Sequence, residues 1–234
     1  MSLAAYLKNG FSLEAPPPKG SSLTFEASIH YYHHKHALLN MHALLPCTRL
    51  LWILRNPLPR ALSEYLHQSV KSKTYPPFHE LIAAEVAAIN KCRKAVGFDF
   101  CGGFENKFFR CVGKFKLKKY LLTTAFYGYF TRAWLAKFPR DQHLFLDYEE
   151  FRREPQHTVK EISHFLGLTS SVKLNYTWKY NKANTRDGIA KKLRSEVQLS
   201  SSLRKKIVRE ISPFVNDAFD TIGDNFNWTL DSLV

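Results

Sequence analysis

A chain of 234 residues, 45% hydrophobic and 14% aromatic, holds enough apolar mass for one large folded domain and is too aromatic for a disordered tail. Its 34 Lys and Arg against 20 Asp and Glu leave a formal charge of +14, which favours an anionic partner: a nucleotide, an acidic glycan, nucleic acid or an acidic membrane surface. No segment has the unbroken apolar length that spans a bilayer, and the opening MSLAAYLKNGF lacks the build of a signal peptide.

Residues 1–22, with PPPKGSS, read as a loose leader, and 23–230 as a single domain. LTFEASIHYY predicts a short strand, and HKHALLNMHALLP a helix ended by Pro46. CTRLLWIL predicts a buried strand, because Leu50 to Leu54 is a continuous apolar run bounded by turn signals. Asn56-Pro57 breaks the run, and Pro59 suits the first turn of a helix. In that helix Leu58, Ala61, Leu62, Tyr65 and Leu66 share one face, with Arg60, Ser63 and His67 opposite. After the loop KSKTYPPF, FHELIAAEVAAINKCRKAV predicts an amphipathic helix with Leu81, Ile82, Val86 and Ile89 inward.

GFDFCGGFENKFFRCVGKFKLKK reads as an irregular, basic connection. Residues 120–138 predict a second long helix, striped by Leu122, Phe126, Phe130 and Trp134. Gln142 to Asp147 predicts a short buried strand, and HTVKEISHFLGL a helix stopped at Gly167. KYNKANTRDGIAKKLRSEV reads as a mobile polar loop, and SSSLRKKIVREISPFVNDAFDTIG as a serine-capped helix broken at Pro213. Strands alternating with helices make the chain α/β with a mainly parallel sheet.

Arg55 falls at the carboxyl end of the first long apolar run, where open α/β sheets bind ligands. A guanidinium, the Ser63 hydroxyl and nearby helix N–H groups form a phosphate site; a solvated face with an arginine capping the strand is the plainer reading of the same residues. Cys92, Cys101 and Cys111 cluster around a Gly-Gly turn and either supply one disulfide or stay free thiols. HYYHHKH has no acidic or cysteine partner at ligand spacing, so no metal is expected. KFKLKK reads as a solvated face ahead of a grip on polyanions, and Glu149 and Glu150 as structural. The sequons at Asn175 and Asn227 permit N-glycosylation in a secretory compartment.

Taken as a whole, RNPLPRALSEYLH resembles the 3′-phosphate-binding segment of sulfotransferases that use 3′-phosphoadenosine-5′-phosphosulfate (PAPS). The likeness is greatest to the carbohydrate group, as in heparan sulfate N-deacetylase/N-sulfotransferase, and rests on Arg55, Asn56, Pro57, Arg60, Ala61, Ser63 and His67. LTFEASIHYY, FYGYFTRAWLAKFPRDQHLFLDYEEFRREPQHTVKEISHFLGL, and NTRDGIAKKL with NFNW resemble further tracts of that family, in the same order. The resemblance implies a P-loop-like three-layer α/β fold, with Arg55 and Ser63 on the donor's 3′-phosphate. It implies a basic loop carrying Arg186, Lys191 and Lys192 over that phosphate, and His67 near the acceptor. PAPS as co-substrate, a glycan acceptor, no nucleic-acid partner, no metal and the Golgi lumen follow from the same likeness.

The family's phosphosulfate loop, K-x-G-T-T after a strand, has no match. KGSSL at Lys19 to Leu23 follows PPP and lies too close to FEAS, and Ala27 stands where close relatives carry a lysine. The catalytic base that follows that loop is missing with it, so no catalytic residue is assigned. The expectation is an N-terminally incomplete sulfotransferase-like domain, moving sulfuryl from PAPS to a glycan hydroxyl or amine, with its activity as an isolated chain in doubt. The alternative is a non-catalytic basic module that binds acidic glycan or nucleic acid.

Overall fold

The structure, a computed structural model, describes residues 25–28, 30–69, 75–97, 104, 106–168, 197–224 and 226–230. The chain divides into two compact units, Met1–Thr48 and Arg49–Val234. In the first, a 3-10 turn at Tyr31–His33 leads into helix α1 (Lys35–Leu44), which buries Leu38. No strand occurs among the described residues of LTFEASIHYY, where the sequence predicts one. Phe25 stands 87% exposed there, and the buried Tyr32 belongs to the 3-10 turn.

The second unit runs β1 (Leu50–Leu54), α2 (Pro57–Ser69), α3 (Phe78–Val96), α4 (Lys107–Gly113), α5 (Tyr127–Leu135), β2 (His143–Asp147), α6 (Tyr148–Arg153), α7 (Pro155–Phe165) and α8 (Ser201–Ile222). The two strands pair in parallel, from Leu50 opposite His143 to Leu54 opposite Asp147, with helices in the crossover between them. The fold is therefore α/β with a parallel sheet, as the alternating pattern predicts. The expected burial of β1 is only half met: Leu50 and Leu54 point inward, while Leu51 and Ile53 are 40% and 50% exposed. An unbroken apolar run hides which of its two faces is covered.

The helices carry the core. Leu58 and Leu62 of α2, Ile82 and Ile89 of α3, Phe108 of α4, Tyr129 of α5, and Ile211 and Phe214 of α8 form one buried cluster. Phe126 stacks on Phe214 with ring centres 3.6 Å apart. Helices α5 and α8 pack closely because residue 128 is glycine; a Cβ there would collide with the Asp217 carboxylate, which Arg132 holds by an ion pair. Helix α7 ends at Gly167 with φ +71°, the left-handed stop its sequence predicts.

The long helix predicted over 120–138 is shorter than expected, and the cause is a buried carboxylate on α3. Glu85, fully buried, accepts hydrogen bonds from the backbone N–H of Leu121 (2.7 Å), Leu122 (2.9 Å) and Thr123 (2.8 Å), and from the Thr123 hydroxyl (2.9 Å). Those N–H groups turn toward the anion, a 3-10 turn forms at Thr123–Ala125, and the α-helix begins only at Tyr127. The expected stripe survives, since Leu122, Phe126, Phe130 and Trp134 are all buried.

Two more departures have local causes. Helix α8 passes through Pro213 without a break, because the residues on either side share one buried face: Ile207, Ile211, Phe214, Val215 and Ala218. That burial outweighs one missing N–H. The basic connection before residue 120 contains α4, capped by Asn106, whose side chain accepts from Phe108 N–H at 2.6 Å. Cys111 on α4 is bonded to Cys92 on α3; Cys47 is free and exposed, and Cys101 lies outside the described residues.

At the start of β2, His143 is buried and its Nδ1 accepts from Trp52 Nε1 at 2.9 Å. Burial pushes its pKa down to about 4; the Phe138 carbonyl offsets part of this and Arg140 adds to it. The folded chain thus resists a proton that the unfolded chain accepts near its ordinary value of 6.5. Stability is expected to fall as pH drops from about 6.5 to about 4, at no more than about 1.4 kcal/mol per pH unit from this group. Urea unfolding across that range checks it: His143→Gln, which keeps an acceptor for Trp52, should flatten the slope. An unchanged slope would show that other groups cause it.

Candidate functional site

Asn56 builds the corner between β1 and α2. Its Oδ1 caps the helix by accepting from Leu58 N–H at 3.2 Å, and its Nδ2 donates to the Thr229 carbonyl at 2.9 Å. Arg55 sits just before it, at the carboxyl end of β1. The parallel register places residues 148 and 149 beside it, since Leu54 lies opposite Asp147. Arg55 Nε accordingly donates to Glu149 Oε1 at 3.0 Å, and the guanidinium lies over the Tyr148 ring, 4.5 Å from its centre. Tyr127, buried on α5, donates its hydroxyl to the Arg55 carbonyl at 2.9 Å. Burial pushes the Tyr127 hydroxyl's pKa up, against the nearby charges of Arg60 and Arg55.

These contacts fix one edge and one face of the Arg55 guanidinium and leave its Nη edge without a partner among the described residues. The side chain is 17% exposed. A planar fork, oriented by a carboxylate and a ring and with no partner among the described residues on its far side, is the arrangement that grips an oxyanion through two parallel hydrogen bonds.

Ser63 stands exposed on α2, about 9 Å along the axis from Pro57, and His67 is exposed one turn further. Arg60, on the same face in the sequence, does something else. It donates to Glu64 Oε2 at 2.8 Å, to the Leu121 carbonyl and to Thr124 Oγ1 at 2.6 Å. It is a strut to the turn whose N–H groups Glu85 holds from the other side. Arg55 thus stands at the β1–α2 corner, with Ser63 and His67 exposed further along α2, whereas Arg60 is committed to structure. Arg186, Lys191 and Lys192 lie outside the described residues, as do KGSSL and the sequon at Asn175.

Glu149, which the sequence reads as structural, and Tyr148 and Tyr127, which it does not single out, are the partners of Arg55. The signal for the first two lies in the register: residues just after one strand of a parallel pair meet those just after the other. The C-terminal NFNW tract also reaches this corner, with Trp228 Nε1 donating to Asp147 Oδ1 at 3.2 Å and its ring 5.8 Å from that of Tyr127.

Comparison with known proteins matches residues 21–218 to the family model described as "Sulfotransferase domain". The mouse bifunctional heparan sulfate N-deacetylase/N-sulfotransferase 1 (Mus musculus) is 32% identical over 165 residues, covering 69% of this chain and 16% of its own length. The human carbohydrate sulfotransferase 15 (Homo sapiens) is 25% identical over 131 residues, covering 55% of this chain and 22% of its own. The chain therefore spans about a sixth of the first of these relatives. Among solved structures, the crystal structure of a sulfotransferase from Alicyclobacillus acidocaldarius superposes with a TM-score of 0.54 at 21% identity, over 86% of this chain and 65% of that one.

Proposed function

This chain belongs to the sulfotransferase domain family, and from that premise we propose that it binds PAPS and serves transfer of its sulfuryl group to a glycan hydroxyl or amine. In that reaction the sulfur–oxygen bond of the phosphosulfate breaks and a bond from sulfur to the acceptor oxygen or nitrogen forms. Adenosine 3′,5′-bisphosphate leaves, and the acceptor's proton passes to a base. The observation that carries the reading is the Nη edge of Arg55, which has no partner among the described residues, on a guanidinium held at the strand tip by Glu149 and Tyr148. On this reading that edge takes the donor's 3′-phosphate together with the Ser63 hydroxyl, and His67 faces the acceptor.

Arg186, Lys191 and Lys192 belong to the same proposal as a basic loop over the nucleotide. None of these groups acts on the leaving phosphosulfate or the nucleophile, so they supply binding and orientation, and a base must come from elsewhere. The Cys92–Cys111 disulfide and the exposed Asn227 of a sequon suit an oxidising secretory lumen, the Golgi by family habit.

Titrating the chain with adenosine 3′,5′-bisphosphate tests the reading directly. Saturable binding of one equivalent is the expected result, and labelled sulfate transfer from PAPS to a heparan-type acceptor then reads whether a base is supplied. Weak, unsaturating binding with a steep salt dependence would instead support a basic module without a nucleotide site.

A further inference from the structure

The first half of α8 is charged against its own dipole. A helix N-terminus carries partial positive charge and favours acids in its opening turns. Helix α3 follows this rule, with Glu80 in its first turn and Arg93 and Lys94 in its last. Helix α8 has no acid in its first turn, its opening turns hold Arg204, Lys205, Lys206 and Arg209, and Asp217 and Asp220 come only toward its C-terminal end. Such an arrangement weakens an isolated helix, and a local rule broken without structural gain points to function.

Glu210, the one acid among these cations, pairs with Arg209 and leaves Lys205 and Lys206 unmatched among the described residues. It is fully buried and accepts from Asn90 Nδ2 at 2.7 Å, Arg93 Nε at 2.8 Å and Arg209 Nε at 2.8 Å. Its role is to tie α3 to α8, which brings Arg93 beside Arg209. Lys205 and Lys206 stand exposed and form no ion pair among the described residues. Ser202, Lys205, Lys206 and Arg209 line an open depression on the surface. Their spacing of three, four and seven puts them on one stripe, about 10 Å long.

We propose that this stripe is a second anion site, built from residues other than those around Arg55, which holds the sulfate or carboxylate groups of a linear acidic glycan. The choice of a glycan rests on the carbohydrate sulfotransferase reading above. The lining itself agrees, since it offers three cations and a hydroxyl and none of the aromatic platforms on which single-stranded nucleic acid stacks. A site of this kind tethers an acidic chain without touching the reacting atoms.

The test is binding of the full chain to a heparin oligosaccharide near physiological salt. Lys205→Glu with Lys206→Glu is expected to lower affinity about tenfold or more and to make the salt dependence shallower. Arg153→Glu with Lys160→Glu makes the same charge change on exposed residues of α6 and α7, and should alter affinity by less than about threefold. The milder Lys205→Gln with Lys206→Gln should give an intermediate loss, which separates lost contact from misfolding. Equal losses in both Glu pairs, no loss in either, or equal binding to a DNA duplex of matched charge would overturn the proposal. A selective loss of heparin binding supports the site even if adenosine 3′,5′-bisphosphate does not bind, a result that counts against the Arg55 reading alone.

Discussion

Arg55→Ala is expected to lower affinity for adenosine 3′,5′-bisphosphate by up to about a hundredfold, or about 3 kcal/mol, the upper range for a charge-assisted contact. Arg55→Lys should recover only part of this, because an ammonium keeps the charge but not the flat fork that Glu149 and Tyr148 orient. Glu149→Gln should weaken binding only a few-fold, since a neutral acceptor still receives Nε–H. Calorimetric titration reads all three, with thermal unfolding as the control. The Arg55–Glu149 pair is partly exposed, so its loss should cost the fold less than about 1 kcal/mol. Affinities within about twofold of the parent for Arg55→Ala would remove the nucleotide from this corner.

Glu85→Ala should destabilise the fold by about 4 kcal/mol, because it strands three buried N–H groups and a hydroxyl in a water-poor core. Glu85→Gln should cost about half as much: its carbonyl can serve Leu121 and Leu122, while its NH2 faces the Thr123 N–H. All four contacts come from groups able to donate, so the ionised carboxylate is the form that matches them. Burial nevertheless raises its pKa, against those hydrogen bonds. Urea unfolding of the two variants measures the ladder, and a loss below about 1 kcal/mol for alanine would mean the turn finds other acceptors. Arg60 leans on the same turn from α2, so the alanine variant should also loosen the helix that carries Ser63.

Periodicity made α2 and α3 legible, because each buries one apolar face, and Gly167 marked the end of α7. The β1 strand was legible in extent but not in facing, since five apolar residues in a row carry no alternation. The start of α5 was illegible for a different reason. What interrupts it is a carboxylate on another helix, 36 positions upstream of its nearest partner. Pro213 misled because a breaker's local cost was outweighed by burial on both sides of it. Arg55 stood out through its motif and place at a strand end, whereas Glu149 becomes visible only once the strand register is known.

The corner around Arg55 is stitched from residues far apart in the chain: Tyr127 is 72 positions from Arg55, Glu149 is 94, and Thr229 is 173 from Asn56. Closing such long loops is slow, and native links of this length form late compared with helical turns. A partly folded chain can therefore have most of its helices and still lack this corner. Any ligand that grips the finished corner would pull the last closures forward by mass action and act as a folding aid during synthesis.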